Sequence, residues 1–353
     1  MTAAVPSQAE LVECFRTQAR GCALTGSVIY ADLLARAADD LARGGLFADL
    51  VASYRGVPIL DALPLRILGA VHAMVLGGRA PALAAFYPSA GGHFEATGAF
   101  RALCELCEAH RDELRDAAAT LCVQTNEVLR SAVLLPGFLR LAAHTGLPLR
   151  IREIGASAGL NLLFDRYRYE LGPHRWGDTA APLVLAASWD GAPPDLEAPL
   201  RVASRRGCDL APFDVRDAAH RLRLESFVWP EQLDRLARLR AAIAIAMQEP
   251  PPIDTEPAGA WIETQLAERA ERVATVLFHS VVWWYLPEAE QARITRAMEA
   301  AGERATRAAP LAWLRMEGAT LEGADLRLRL WPDGEDTLLA RVHWHGAEIC
   351  WLV

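Results

Sequence analysis

The sequence has no lysine; all 36 basic residues among its 353 are arginine. A Walker-type phosphate loop needs a lysine to reach the phosphates, so that class is excluded. Schiff-base and pyridoxal-phosphate chemistry need a lysine amine and are excluded with it. A GC-rich coding sequence explains the bias, and the exclusions hold whatever its source. No stretch approaches the roughly 18 apolar residues of a membrane helix. The N-terminal stretch MTAAVPSQAELVECF lacks a basic region followed by an apolar one, so no signal peptide is expected. Seven cysteines form an odd, scattered set in a large chain, which predicts reduced thiols in a cytoplasm. The net charge of −8 lacks the basic footprint of a nucleic-acid binder. Neither nucleic acid nor membrane is therefore expected as a partner. There is no internal repeat and no low-complexity tail.

What is present is a chain long enough for two domains, with about half its residues apolar. Residues 1–146 read as a helical domain. Glu10 to Ala19 repeats its apolar residues at helical spacing. Ser27 is placed to cap a helix through Leu41, stopped by Gly44 and Gly45. Asp61 to Leu76, His93 to Ala119 and Asn126 to Thr145 continue the pattern, and strand signals are nearly absent. After Pro148 the texture changes. In residues 147–353 apolar, β-branched runs alternate with amphipathic helices, which predicts a mostly parallel, doubly wound sheet. Its predicted strands begin at Leu149, Val202, Val273 and Pro310. Leu326 to Trp331 and Leu338 to Trp344 read as a hairpin, and Ile349 to Val353 as a last strand.

The stretch LRIREIGASAGLNLLFD, from Leu149 to Asp165, reads as strand, small-residue loop and helix start. Such a unit offers backbone N–H groups to a ligand at the carboxyl end of the strand. Glu153 stands just before the loop of Gly155, Ser157 and Gly159. Asp209 ends the second strand, where an acid takes ribose hydroxyls in nucleotide-binding sheets. His279 to Tyr285 follows the most apolar strand, at the edge where these sheets bind ligands. His279 is the best-placed imidazole for a general base, with plain strand-end hydrogen bonding as the other reading. Trp283, Trp284 and Tyr285 read either as core packing or as rings facing a cation. Asn161 and Asp165, four apart, share one helix face. Asn126, Glu127 and Arg130 open a helix; they read as a capping cluster or as groups reaching substrate across a cleft. Cys104-x-x-Cys107-x-x-His110 lies in a helical pattern with no second pair, so no metal site is expected.

Three of these stretches, in order, carry a resemblance. EIGASAGLN, GCDLAP and FHSVVWWYLP resemble the first, second and fourth motif regions of class I S-adenosylmethionine-dependent methyltransferases. Ile253 to Trp261 falls where the third region would lie. The whole chain also resembles, nearly end to end, a bacterial family of unknown function with the same two-part layout. The first resemblance implies a Rossmann-like methyltransferase-type domain and S-adenosylmethionine as cofactor. It implies that Glu153, Gly155, Ser157, Gly159, Asn161, Asp209 and Asp254 hold that cofactor. A small-molecule acceptor would meet Asn126, Glu127, Arg130, Asp165, Trp283 and Trp284, with His279 and Tyr285 catalytic. Ser157 stands where the family has its middle glycine. Leu183 to Trp189 reads as an extra strand, and an extra strand there would displace Asp209 from its role.

Two other readings stay open. The loop also fits G-x-S-x-G, so Ser157 with Asp254 and His279 or His343 would suit a serine hydrolase. The domain would alternatively bind a nucleotide-like ligand, or none, without catalysis.

Overall fold

The computed structural model describes residues 5–267, 270–319 and 323–353. Its helices in chain order are α1 (Gln8–Leu24), α2 (Val28–Ala42), α3 (Leu46–Leu50), α4 (Leu63–Leu76), α5 (Pro81–Ala84), α6 (Ala96–Ala109), α7 (Arg111–Thr120), α8 (Arg130–Thr145), α9 (Ala218–Ser226), α10 (Leu233–Gln248), α11 (Ala258–Ala267) and α12 (Glu288–Glu303). None is long and apolar enough to cross a membrane among the described residues. The strands are β1 (Leu149–Ile154), β2 (Arg168–Leu171), β3 (His174–Trp176), β4 (Val184–Asp190), β5 (Val202–Asp209), β6 (Ile253–Thr255), β7 (Ala274–Ser280), β8 (Leu311–Gly318), β9 (Ala324–Trp331), β10 (Glu335–Val342) and β11 (Glu348–Trp351).

The chain divides into two compact units. One runs through Thr125 and adds Asp217–Ala237. The other joins Asn126–Arg216 to Arg238–Val353.

The first unit is helical because its apolar residues recur on one face of each helix and its polar caps stop them. Ser7 and Glu10 form a reciprocal capping box at α1. Ser27 accepts the N–H of Tyr30 at the start of α2, as its position predicts. Phe15, Leu33, Leu34, Leu41, Leu63 and Val71 meet in one core. The long helix expected from His93 to Ala119 is two helices, broken at His110. Glu95 caps the first by accepting N–H groups of Thr97 and Gly98. Asp112 and Glu113 suit the positive N-terminus of the second.

The expected boundary near residue 146 differs from this division in two ways. Residues 217–237 pack into the helical core: the Phe227 ring lies where a Cβ on Gly69 would stand, and Glu231 accepts from the Ser27 hydroxyl at 2.6 Å. Conversely α8 belongs with the sheet. Ser131 to Leu139 are buried all round. Gly137 lies so close to β8 that a Cβ would be 2.6 Å from the Leu314 side chain. Phe138 stacks on Phe164 at 4.1 Å and meets Phe278 edge-on at 5.3 Å. Apolar periodicity says that a helix is buried, not which element buries it.

The second unit carries an 11-stranded sheet among the described residues, in the order β3-β2-β4-β11-β10-β9-β8-β7-β1-β5-β6. From β8 to β6 every pairing is parallel. The remainder departs from the doubly wound expectation: β8, β9, β10 and β11 run as an antiparallel meander. Residues 167–200, between the loop and β5, hold the extra strand, β4, with two unexpected ones, β2 and β3. Strand β4 pairs with β11, at the far part of the sheet, so β5 still lies directly beside β1. Asp209 is therefore not displaced. Arg150 and Arg152 are accommodated on β1 by α11, where the Gln265 carbonyl accepts from Arg150 and its side chain from Arg152 at 2.7 Å. On that face Trp261, Ile262, Leu277, Ile294, Met298 and Trp313 form a second core.

Candidate functional site

Strand β1 has β5 on one side and β7 on the other, and the chain reaches them in opposite directions across the sheet. In open α/β sheets such a switch of direction marks where a ligand crevice forms, at the carboxyl ends of the strands. The loop after β1 stands there with alternating left-handed residues: Gly155 at φ 66°, Ser157 at 54° and Gly159 at 70°. A Cβ on Gly155 would lie 2.5 Å from Val282 Cγ2, and one on Gly159 would lie 2.7 Å from Pro251. Ser157 has a side chain in the same backbone region, at a cost of about 1–2 kcal/mol. The expected helix start after it is a 3₁₀ run, Leu160–Arg166.

Strand β5 comes close because Gly207 lacks a side chain; its Cβ would be 2.6 Å from the Ala156 methyl. The two loops are then stitched together. Ala156 N–H donates to Cys208 O at 3.0 Å, Ser157 N–H to Asp209 Oδ2 at 2.8 Å, and Phe213 N–H to Ser157 O at 3.1 Å. Asp209 Oδ1 accepts from Ala211 N–H at 3.0 Å. On the other side Asn126 Oδ1 accepts the N–H of Leu160 at 3.0 Å, and Asn161 Oδ1 accepts from the Ser131 hydroxyl at 2.7 Å. The chain has only two asparagines, and both hold this loop. That scarcity was the signal in the sequence for their shared place.

Two buried polar atoms at the loop, Glu153 Oε2 and Ser157 Oγ, have no partner among the described residues. Glu153 is 2% exposed. Burial, and then the nearby charge of Asp209, push its carboxyl well above the usual range, while Arg130 pulls the other way. Glu127 is also buried and accepts the N–H of Leu129 at 3.1 Å. The Arg130 guanidinium donates to Ser280 O at 3.2 Å and to Trp344 O at 3.3 Å. Asn126, Glu127 and Arg130 thus belong to the sheet-bearing unit, and part of their work is holding its backbone.

Other expected groups are engaged elsewhere. Asp165 makes a two-pronged ion pair with Arg205, at 2.6 and 2.8 Å. Asp254 pairs with Arg206 and accepts from Trp261 Nε1 at 2.7 Å. The Arg206 bond holds its carboxyl below the usual range. His279 is fully buried, its Nδ1 at 2.5 Å from Glu317 Oε1 and its Nε2 accepting from Trp313 Nε1 at 3.0 Å. The indole can only donate, so the imidazole proton sits on Nδ1 and points at Glu317. Both nitrogens are committed, which is the strand-end reading rather than an open base. Glu317 escaped notice in the sequence; it also accepts N–H groups of Val282 and Trp283, each at 3.2 Å. Trp283 stacks on His279 at 5.2 Å, whereas Trp284 and Tyr285 are exposed. Just before them Val281, a β-branched residue, stands at φ 55°. Left-handed backbone at such a residue is rare and gathers at functional sites.

Together these features define a mixed α/β protein with a helical unit, whose polar groups converge at the carboxyl edge of β1 and β5. The chain belongs to a bacterial family described as an uncharacterized protein conserved in bacteria, domain of unknown function 2332, whose profile matches residues 12–351. No curated protein matches the chain.

Proposed function

We propose that the sheet-bearing unit binds S-adenosylmethionine at the carboxyl edge of β1 and β5 and directs methyl transfer to a small molecule. The observation that carries this reading is the Ser157–Asp209 bond, which sets an acid from the neighbouring strand against a tight left-handed loop. The chemistry of the donor set fits the cofactor. Asp209 supplies carboxylate oxygens for ribose hydroxyls, and a carboxylate offers about four acceptor directions. Glu153 Oε2 and Ser157 Oγ are polar atoms awaiting partners at the loop.

When bound, the sulfonium cofactor would supply an electrophilic methyl group to a lone pair of the acceptor, with the C–S electrons remaining on sulfur and the acceptor proton passing to water. The protein's part is then mainly orientation. Asn126 and Asn161 hold the loop; Glu317, oriented by His279, holds the turn of Trp283. The hydrolase reading gains no support, because Ser157 Oγ is buried and His279 has both nitrogens engaged.

Calorimetric titration of the full chain with S-adenosylmethionine and S-adenosylhomocysteine tests the proposal. Micromolar binding of both, weakened at least about tenfold by Asp209→Ala, is expected. No heat and no thermal stabilisation at millimolar ligand would overturn it.

A further inference from the structure

Five of the six tyrosines are at most 2% exposed, but Tyr285 is 68% exposed. Of the ten tryptophans, Trp284 alone is more than half exposed, at 52%. The two exceptions are adjacent, and they follow the strand that flanks the candidate site. Free aromatic surface of this kind costs solvation unless something covers it.

The turn that carries the rings is held by hydrogen bonds. Tyr285 N–H donates to Val282 O at 3.0 Å, and Gln291 Nε2 donates to the carbonyls of Trp283 and Leu286 at 2.9 and 3.0 Å. Glu317 fixes the start of the same turn. Gly318 makes room for a second indole: a Cβ there would lie 2.5 Å from Trp344 and 2.8 Å from Trp284. Trp284 packs on Trp344 at 4.9 Å and meets Tyr285 at 83°, 5.7 Å between centroids. The result is a corner with one wall of indole and one of phenol. Val282 stands against Gly155, so the corner is continuous with the loop of the candidate site.

We infer that Trp284, Tyr285 and Trp344 receive a flat, uncharged aromatic molecule, which on the reading proposed above is the methyl acceptor. Aromatic pairs favour offset stacking and edge-to-face contact, and a perpendicular corner offers both to one ring. The charges nearby hold protein: Glu317 binds His279 and two backbone N–H groups, and Arg130 binds two carbonyls. Recognition is therefore by shape and π faces. A second copy of the chain is a poor occupant on area alone. An aromatic side chain buries about 150–250 Å² when covered. Two half-exposed rings offer on the order of 200 Å², against about 800 Å² per partner in a stable interface.

The test uses the full chain and 2-naphthol as probe, titrated by its own fluorescence, with S-adenosylhomocysteine titrated by calorimetry on the same preparations. Saturable 2-naphthol binding is expected, weakened about tenfold by Trp284→Ala and by Tyr285→Ala, with cyclohexanol bound more weakly than 2-naphthol. Absent binding, or equal binding by both variants, overturns the inference even if the cofactor binds. A wild-type dimer that Trp284→Ala turns into a monomer also overturns it. Binding of 2-naphthol through Trp284 without binding of S-adenosylhomocysteine supports the aromatic site and defeats methyl transfer.

Discussion

The Ser157 backbone N–H points at Asp209 Oδ2 from 2.8 Å, joining the loops of two neighbouring parallel strands. A bond to an ionised acceptor is stronger than a neutral one. It makes the acid part of the loop's own framework as well as a candidate ligand group. Asp209→Asn keeps the shape but weakens the bond. It is expected to destabilise the protein by about 1–2 kcal/mol in urea denaturation and to weaken cofactor binding in calorimetry. Loss of stability with unchanged binding would leave Asp209 structural only.

Two positions of the same loop should respond in opposite ways. Gly155→Ala adds a methyl 2.5 Å from Val282 at φ 66°, and should cost about 2–4 kcal/mol. Ser157→Gly relieves left-handed strain while loosening the unfolded chain, so stability should change by less than about 1 kcal/mol. Thermal denaturation of both variants decides it, and equal losses would refute the strain account.

Glu153 makes stability depend on pH. Its carboxyl titrates well above the ordinary range in the folded chain, because burial and Asp209 disfavour the charge. The folded state therefore holds a proton that the unfolded chain releases above about pH 4.3. Stability should fall as pH rises from there through the folded value, since the unfolded state binds fewer protons. Glu153→Gln removes this loss, so its advantage over wild type should grow between pH 5 and pH 8 in chemical denaturation. A constant difference over that range would contradict it.

Removing Glu317 leaves His279 Nδ1 and two backbone N–H groups without their acceptor. Glu317→Ala should cost about 2–4 kcal/mol and change the near-ultraviolet dichroism of the stacked Trp283. A folded variant with an unaltered aromatic spectrum would show that the turn does not depend on it.

Asp165 and Arg205 form a largely buried ion pair. Asp165→Ala strands the guanidinium and should lower stability by about 3 kcal/mol. Affinity for S-adenosylhomocysteine should stay within about twofold, and a larger loss would return Asp165 to the binding site.

Much of this was readable before any fold was known. Small residues at 155, 157 and 159 after an apolar stretch require a tight turn, because only small side chains tolerate left-handed backbone packed against neighbours. The absence of lysine removes whole chemistries whatever the fold. Apolar periodicity located most of the longer helices but not α3, α5, α9 or α11, and apolar runs located β1, β5, β7 and β8 but not β6. These are local properties, set by backbone sterics and by which side of an element must leave water.

Tertiary structure decided what those elements meet. Residues 217–237 lie in the middle of the sheet region of the sequence, yet Phe227 and Glu231 find their partners beside Gly69 and Ser27. Leu183 to Trp189 carries a strand signal, but only pairing with β11 sent that strand to the far part of the sheet and left Asp209 beside the loop. His279 is ionisable in any reading of the sequence; Trp313 and Glu317, over thirty residues away, close it. A residue's type sets what it can donate, accept or bury, and long-range packing chooses the partner, because hydrogen bonds and ion pairs depend on distances that sequence spacing does not specify.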